Sequence, residues 1–133
     1  MVKTGIAKKQ THDYEKSLSS IVMRVEESKH RAITTVNRLL IDLYWFIGKT
    51  IVNLQEKSAW GDGVVEKLSQ DLRMRYPEMN GLSSRNLWDC KRFFLIYRGC
   101  PKLRPLVAEI SWTNNLILLN LRRKFSTGLG HHK

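Results

Sequence analysis

Apolar residues recur every three or four positions through the first half of the chain, from about Tyr14 to Lys57, and this stretch contains no proline. Such spacing is typical of an amphipathic helix. It predicts either one long helix or two helices broken near residues 28–31. The repeating apolar positions are Leu18, Ile21, Val22, Val25, Ile33, Val36, Leu40, Leu43, Ile47, Ile51 and Leu54.

The apolar face of this predicted helix resembles a heptad seam, but Lys29 interrupts it. It is also wider than a coiled-coil stripe because of Leu39, Tyr44, Trp45 and Phe46. We therefore expect the face to pack on later helices and to pair with a second chain, giving a homodimer through residues 14–57. Gly48 lies inside the pattern, where glycine costs a helix about 1 kcal/mol relative to alanine. We expect it to allow another helix to approach closely.

Two shorter helices are predicted next, with a glycine-containing turn between them. The first covers about 63–75 because apolar residues recur there at helical spacing and Pro77 stops the pattern. The turn that follows contains Asn80 and Gly81, both turn formers. Ser83 or Ser84 then caps a helix whose inward stripe is Leu87, Cys90, Phe94 and Tyr97.

This helix pair resembles a helix-turn-helix, although its turn is longer than the simplest form. Polar residues remain on the outer side of the second helix, and Arg and Asn are types that contact phosphates and base edges. We predict a nucleic-acid face formed by Ser84, Arg85, Asn86 and Arg92. The alternative is a core-packed helix with a solvated charged side, in which Arg85 and Asn86 cap the turn or bridge helices.

After Tyr97, Gly99, Pro101 and Pro105 interrupt the helical pattern. A short turn at 106–110 follows, and Ser111 is placed to cap a last helix over about 112–121. The basic tail beyond it offers three more candidate phosphate contacts: Arg122, Arg123 and Lys124. Since no strand pattern is visible, we predict an all-α fold in which the long N-terminal helix or helix pair packs on a helix-turn-helix-like bundle.

The composition of the 133-residue chain fits one domain with a polyanionic partner. Its net charge is +11, and clustered Lys and Arg release counterions from nucleic acid on binding. We therefore predict double-stranded DNA as the partner, with an acidic membrane surface as the other candidate. No apolar run is long enough to span a bilayer, and the two cysteines lack the spacing of a zinc site. We expect a cytoplasmic protein with no metal and no cofactor.

Several ordered motifs give the chain a family resemblance over roughly Tyr14 to Asn120. It is similar to the N-terminal domain of the bacterial YhcG-like proteins. The motifs are Leu43-Tyr-Trp-Phe-Ile-Gly48, Trp60-Gly61, Leu68-Ser-Gln-Asp-Leu72, Tyr76-Pro77, Gly81-Leu-Ser-Ser-Arg-Asn-Leu87 and Ile110-Ser-Trp112. The resemblance implies a helical, winged-helix-like DNA-binding module that precedes a nuclease domain of the PD-(D/E)xK superfamily.

The chain departs from that family pattern in two ways. A histidine usual in the family is replaced within Trp112-Thr113-Asn114-Asn115, and the nuclease half does not follow. We therefore expect a truncated or split nuclease gene product that targets DNA and does not cut it, with no catalytic residues. The predicted organisation is a mobile basic arm at 1–13, the helical domain at 14–120 and a disordered basic tail at 121–133. The alternative function is a protein-interaction domain that assembles with itself or with a separate nuclease subunit.

Two acid-lysine pairs imitate the nuclease motif, Glu27-Ser-Lys29 and Asp89-Cys-Lys91. Both fall in predicted helices. Residues i and i+2 point to different sides of a helix, so neither pair can converge on one metal ion. This geometry is the reason for predicting no catalytic site.

Overall fold

The computed structural model describes residues 2–57 and 60–130, with the side chains of 2–6, 122, 123 and 125–130 excepted. The described residues form helices and contain no strand, which confirms the all-α prediction. The helices are α1 (Val2–Lys57), α2 (Gly63–Arg75), α3 (Ser84–Tyr97), α4 (Arg104–Val107) and α5 (Trp112–Gly130).

The helix limits follow the sequence pattern closely in the middle of the chain and less closely at its ends. α1 runs through residues 28–31 without a break, so the first of the two predicted alternatives is correct. It begins at Val2, within the predicted arm, and α5 extends to Gly130, past the predicted end near residue 121. The domain boundaries at 13 and 120 stay predictions, and residues 131–133 lie outside the described part.

The contacts divide the chain into two compact units, Met1–Val36 and Asn37–Lys133. In the first unit the described side chains are exposed apart from Thr34. Pairs along the helix surface occur there, such as Glu27–Arg31 at 2.7 Å and Glu26–Lys29 at 3.7 Å. Exposed pairs of this kind contribute only about 0.3–0.5 kcal/mol each. Because nearly all of its described side chains are exposed, this unit also gains little stability from apolar packing.

The second unit contains two clusters of buried apolar residues. One joins the second half of α1 to α3 and α5 through Ile41, Phe93, Tyr97, Val107 and Leu119. The other joins α1, α2 and α3 through Ile51, Val64, Val65 and Leu87. Burying such side chains stabilises a fold by about 1.5–3 kcal/mol each. The two clusters thus hold α3 against its neighbours along its whole length.

Gly48 marks the closest approach of α1 to α3. A Cβ atom built at this position would lie 2.1 Å from the backbone oxygen of Cys90. No side chain fits there, because real Cβ atoms do not come within 3.0 Å of other heavy atoms. The structure confirms the prediction that Gly48 lets another helix approach.

Aromatic rings and one arginine complete the packing of this unit. Phe93 contacts Trp45 and Trp112 edge-on, with ring centroids 5.6 and 5.3 Å apart. Arg104 forms an ion pair with Asp42, and its guanidinium lies 4.8 Å from the centroid of the Trp45 ring. These contacts anchor α4 and the start of α5 to the second half of α1.

Candidate nucleic-acid interface

The turn between α2 and α3 is fixed by one buried hydroxyl and one glycine. Ser69 is fully buried, and its Oγ donates a hydrogen bond to the carbonyl oxygen of Leu82 at 2.8 Å. Gly81 has a φ of 92°, and a Cβ there would lie 2.3 Å from the Tyr44 hydroxyl oxygen. Only glycine meets both conditions. The start of α3 is therefore held in a defined position.

The first turn of α3 is capped as the sequence predicted. Ser83 is the N-cap, and its Oγ accepts a hydrogen bond from the amide of Asn86 at 3.2 Å. The Asn86 side chain is used at both ends: Nδ2 donates to the Gly81 carbonyl oxygen at 2.6 Å, and Oδ1 accepts from Trp112 Nε1 at 2.7 Å. Asn86 thus links the turn, α3 and α5.

Next to this link, α3 and α5 line a groove of about 660 Å³. Two residues of α5 contribute, the half-buried Leu116 and the exposed Asn120. The other lining residues come from the start of α3: Ser83, Arg85, Asn86, Trp88, Asp89 and Arg92. Three of the four nucleic-acid residues predicted on α3, namely Arg85, Asn86 and Arg92, therefore share one concave surface.

Arg92 is held in the groove by two partners. Its Nη2 lies 2.7 Å from Asp89 Oδ1 and 3.3 Å from Asn120 Oδ1. Its Nη1 is buried, and no acceptor in the described part of the chain lies within hydrogen-bond distance of it. Leaving a buried donor unpaired costs about 1–3 kcal/mol, and more when the group is charged. The side chain is fixed, yet one of its donors is free.

Arg85 and Ser84 lie on the first turn of α3 and differ in exposure. Arg85 is exposed, and among the described residues no ion pair involves it. Ser84 is half-buried and lies next to the groove, whose lining includes Ser83 and Arg85 on either side of it but not Ser84 itself. The groove lining contains Arg85 and Arg92 but one carboxylate, Asp89, so its net charge is positive. The positive end of the α3 helix dipole adds to this positive potential.

Comparison with known proteins places the chain in a family. Residues 20–127 match the family described as the DUF1016 N-terminal domain. The chain belongs to this family. A curated relative, "Putative nuclease YhcG" of Escherichia coli (strain K12), is 27% identical over 105 residues. That alignment covers 76% of this chain and 28% of the relative, so the chain spans less than a third of the relative's length. No solved structure matches.

The basic residues that follow the groove on this DUF1016 N-terminal domain lie on α5. Lys124 is exposed and comes four residues after Asn120, so the two share one face of the helix. Arg122 and Arg123 belong to the same helix, but their side chains lie outside the described part. Of the three predicted tail contacts, Lys124 is the one whose exposure is known.

Five residues that line this groove were not in the predicted site, and two of them, Trp88 and Asn120, contact its basic side chains or lie beside them. Trp88 is half-buried, and the Lys91 ammonium lies 5.2 Å from the centroid of its ring. Trp88 comes three residues after Arg85, so the two share one helix face, and the helical spacing alone was enough to predict this. Asn120 contacts Arg92 across 28 residues of sequence, and no local pattern indicates such a contact.

The two acid-lysine pairs are not assembled into a nuclease-like site. Glu27 contacts Arg31 and Lys29 contacts Glu26. Asp89 contacts Arg92, whereas Lys91 lies over Trp88. Among the described residues no group of three or more His, Cys, Asp or Glu side chains is placed to hold a metal ion.

In the same part of the chain no helix is both long and apolar enough to cross a bilayer.

The thiol of Cys90 is a core group. It is fully buried, and this burial raises its pKa well above the ordinary range, with the nearby Asp89 charge adding to the effect. A thiol that stays protonated is a poor nucleophile. Cys90 therefore packs α3 against its neighbours, as its position on the inward stripe predicted.

Proposed function

We propose that this domain binds double-stranded DNA through the groove between α3 and α5, as the targeting part of a nuclease-associated protein. The observation that carries the proposal is the guanidinium of Arg92, which Asp89 and Asn120 fix in the groove lining while the side chain stays 29% exposed. A phosphate oxygen in the groove can contact the exposed part of this side chain, and the buried Nη1, which has no acceptor among the described residues, becomes available once the side chain turns outward. Arginine is well suited to this contact because its donors form a planar fork.

Arg85 is proposed to supply the second contact. It projects from the first helical turn without an ion-pair partner in the described part of the chain. Its charge is free to interact with a phosphate or with the edge of a guanine. Ser84 lies beside it and offers a hydroxyl, a group that often contacts the DNA backbone.

Asn86 stays in the proposed interface as the residue that positions it. Its amide already donates to Gly81 and accepts from Trp112, and these two hydrogen bonds fix its orientation within the protein. We therefore assign it to holding the turn, and assign the DNA contacts to Ser84, Arg85 and Arg92. Lys124, with Arg122 and Arg123, is proposed to extend the contact along α5.

The charge of the whole chain supports a polyanionic partner. A net charge of +11 over 133 residues attracts DNA at long range. Binding that neutralises phosphates weakens linearly with the logarithm of salt concentration, with a slope of about −0.9 per phosphate contact. We therefore expect DNA affinity to fall steeply as salt rises.

The nuclease association rests on the family and on the relative. That relative's name calls it a nuclease, and this chain aligns with 28% of its length. We propose that the aligned part brings DNA to the rest of such a protein and does not itself cut. The test is incubation of the purified chain with duplex DNA and Mg²⁺ or Mn²⁺. Cleavage that is lost on Asp89→Ala would show that this chain cuts DNA and would contradict the proposal.

The test of DNA binding compares two arginines of equal charge. Arg85→Ala should weaken binding to a labelled duplex by about 1–3 kcal/mol if Arg85 reads a base, and should lower the salt slope by about one if it contacts a phosphate. Arg24→Ala removes the same charge from an exposed position in the first unit and should leave the affinity within about twofold. Equal losses in both variants would contradict a localised site.

A second function, protein interaction, is favoured by the exposed apolar side chains of the first unit. Ile21, Val25 and Val36 are each about half exposed or more. Single surface apolar residues are ordinary, whereas a contiguous group marks an interaction site.

A further inference from the structure

Within the first unit, α1 carries a strip of exposed apolar residues that no other described residue of that unit covers. Leu18, Val22, Val25 and Val36 are exposed to 41%, 50%, 49% and 53%. Ala32, also exposed, completes the apolar part, and Lys29 is the one charged member. Ile21 and Ile33, exposed to about 60%, flank the strip on either side.

The spacing of this strip is that of a coiled-coil seam. Its six members follow one another at intervals of four, three, four, three and four residues, which places Leu18, Val25 and Ala32 at d positions and Val22, Lys29 and Val36 at a positions. Ser20 lies at an f position, on the opposite side of the helix. A seven-residue period is the pattern by which one helix pairs with another helix of the same kind.

We propose that the strip from Leu18 to Val36 pairs with the same strip of a second copy of this chain, and that the two helices run antiparallel. A second copy supplies a strip of the same length and the same seven-residue period, so each apolar residue of one strip has a partner position on the other. The proposal does not rest on DNA binding, since it concerns residues outside the groove.

Lys29 decides the orientation. A parallel pair in register places the two Lys29 side chains against each other at an a position, where like charges repel. An antiparallel pair centred near residue 27 instead places Lys29 opposite Val25 of the second copy, with Glu26 of that copy beside it. Within one copy Lys29 Nζ already lies 3.7 Å from Glu26 Oε1. The antiparallel pair therefore joins two Glu26–Lys29 pairs into one neutral cluster of four charges.

The size of the strip sets the strength of the association. Nineteen helical residues form a strip roughly 28 Å long and about 10 Å wide, so pairing buries roughly 280 Å² of each copy, or roughly 560 Å² in total. Stable complexes bury at least about 1,200 Å² in total. We therefore expect a reversible dimer whose population rises with protein concentration.

Sedimentation velocity of the full chain without DNA tests the pairing. The wild-type protein should shift from monomer towards dimer between low and high micromolar concentration. Val22→Glu, which places a charge in the seam opposite Ala32 of the second copy, should raise the dimer dissociation constant at least tenfold, whereas Ser20→Glu adds the same charge on the opposite face and should change it less than threefold. A wild-type chain that stays monomeric throughout the series, or equal effects of the two variants, overturns the proposal.

Disulfide cross-linking tests the orientation. In a Cys100→Ser background, which leaves the buried Cys90 as the native thiol, Val22 of one copy should lie opposite Ala32 of the other. The double variant Val22→Cys, Ala32→Cys should form covalent dimers on mild oxidation, and Val22→Cys alone should form few. Efficient cross-linking by Val22→Cys alone would show a parallel pair and overturn the antiparallel assignment.

Discussion

One helix, α1, carries the same kind of apolar spacing through two regions that end in different surroundings. Before residue 37 the apolar side chains are exposed, as at Ile21 and Val25. After it, Ile41 and Ile51 are completely buried by side chains of α2, α3 and α5. The apolar period thus decides that a segment is helical and which face is apolar. Burial depends on what later parts of the chain, or another chain, bring to that face.

The largest expected effect is the difference between two leucines. Leu87→Ala removes a fully buried side chain and should lower the free energy of unfolding by about 2–5 kcal/mol. Leu18→Ala, at a position exposed to 41%, should change it by less than about 0.5 kcal/mol at low protein concentration. Urea denaturation of both variants measures this. Equal losses would remove the distinction between the two regions.

Next in size is the effect at the crossing of α1 and α3. Gly48→Ala forces a Cβ against the Cys90 carbonyl and should destabilise the second unit by about 1–3 kcal/mol, despite alanine's better helix propensity. Gly63→Ala meets no atom within 4 Å and serves as the control. It should be neutral or slightly stabilising in the same thermal melt. A neutral Gly48→Ala would mean that the helices are farther apart than described.

A smaller effect should reveal what Asn86 does. Asn86→Ala and Trp112→Phe each break the Asn86–Trp112 hydrogen bond of 2.7 Å, so their effects on stability should not add. We expect a coupling energy of about 0.5–3 kcal/mol in a double-mutant cycle of unfolding free energies. Full additivity, together with a loss of DNA affinity in folded Asn86→Ala, would instead favour Asn86 as a base-reading residue.

The smallest change concerns thiol reactivity. Burial raises the pKa of Cys90, so its thiolate is scarce at neutral pH and should stay scarce as the pH rises towards 9, as long as the second unit is folded. Cys100 is half-buried and should be alkylated first by iodoacetamide, as seen by mass spectrometry. Cys90 should react at the rate of unfolding. Rapid alkylation of Cys90 in the native protein would contradict its place in the core.

Much of the fold was predictable because its signals are local. The limits of α2, the Ser83 and Ser111 caps and the role of Gly48 follow from spacing, hydroxyl capping and glycine's missing side chain. The single course of α1 through residues 28–31 was not decided by the sequence. That stretch is polar, and polar residues fit both a continuous helix and a break.

The candidate site was predictable in part. Arg85 and Arg92 are brought to one groove because they lie seven residues apart, on one face of α3. The engagement of Asn86 by Trp112, and of Arg92 by Asn120, could not be predicted, since each joins residues 26 or 28 positions apart. Such contacts depend on how α5 packs on α3, which no local period specifies.

The central claim, that DNA binds at the α3–α5 groove, is tested most directly by amide chemical-shift mapping of the isotope-labelled chain with a short duplex. The largest shifts should fall on residues 83–92 and 116–120, and they should weaken with added salt. Shifts confined to residues 7–36, or none at saturating duplex, would contradict the claim.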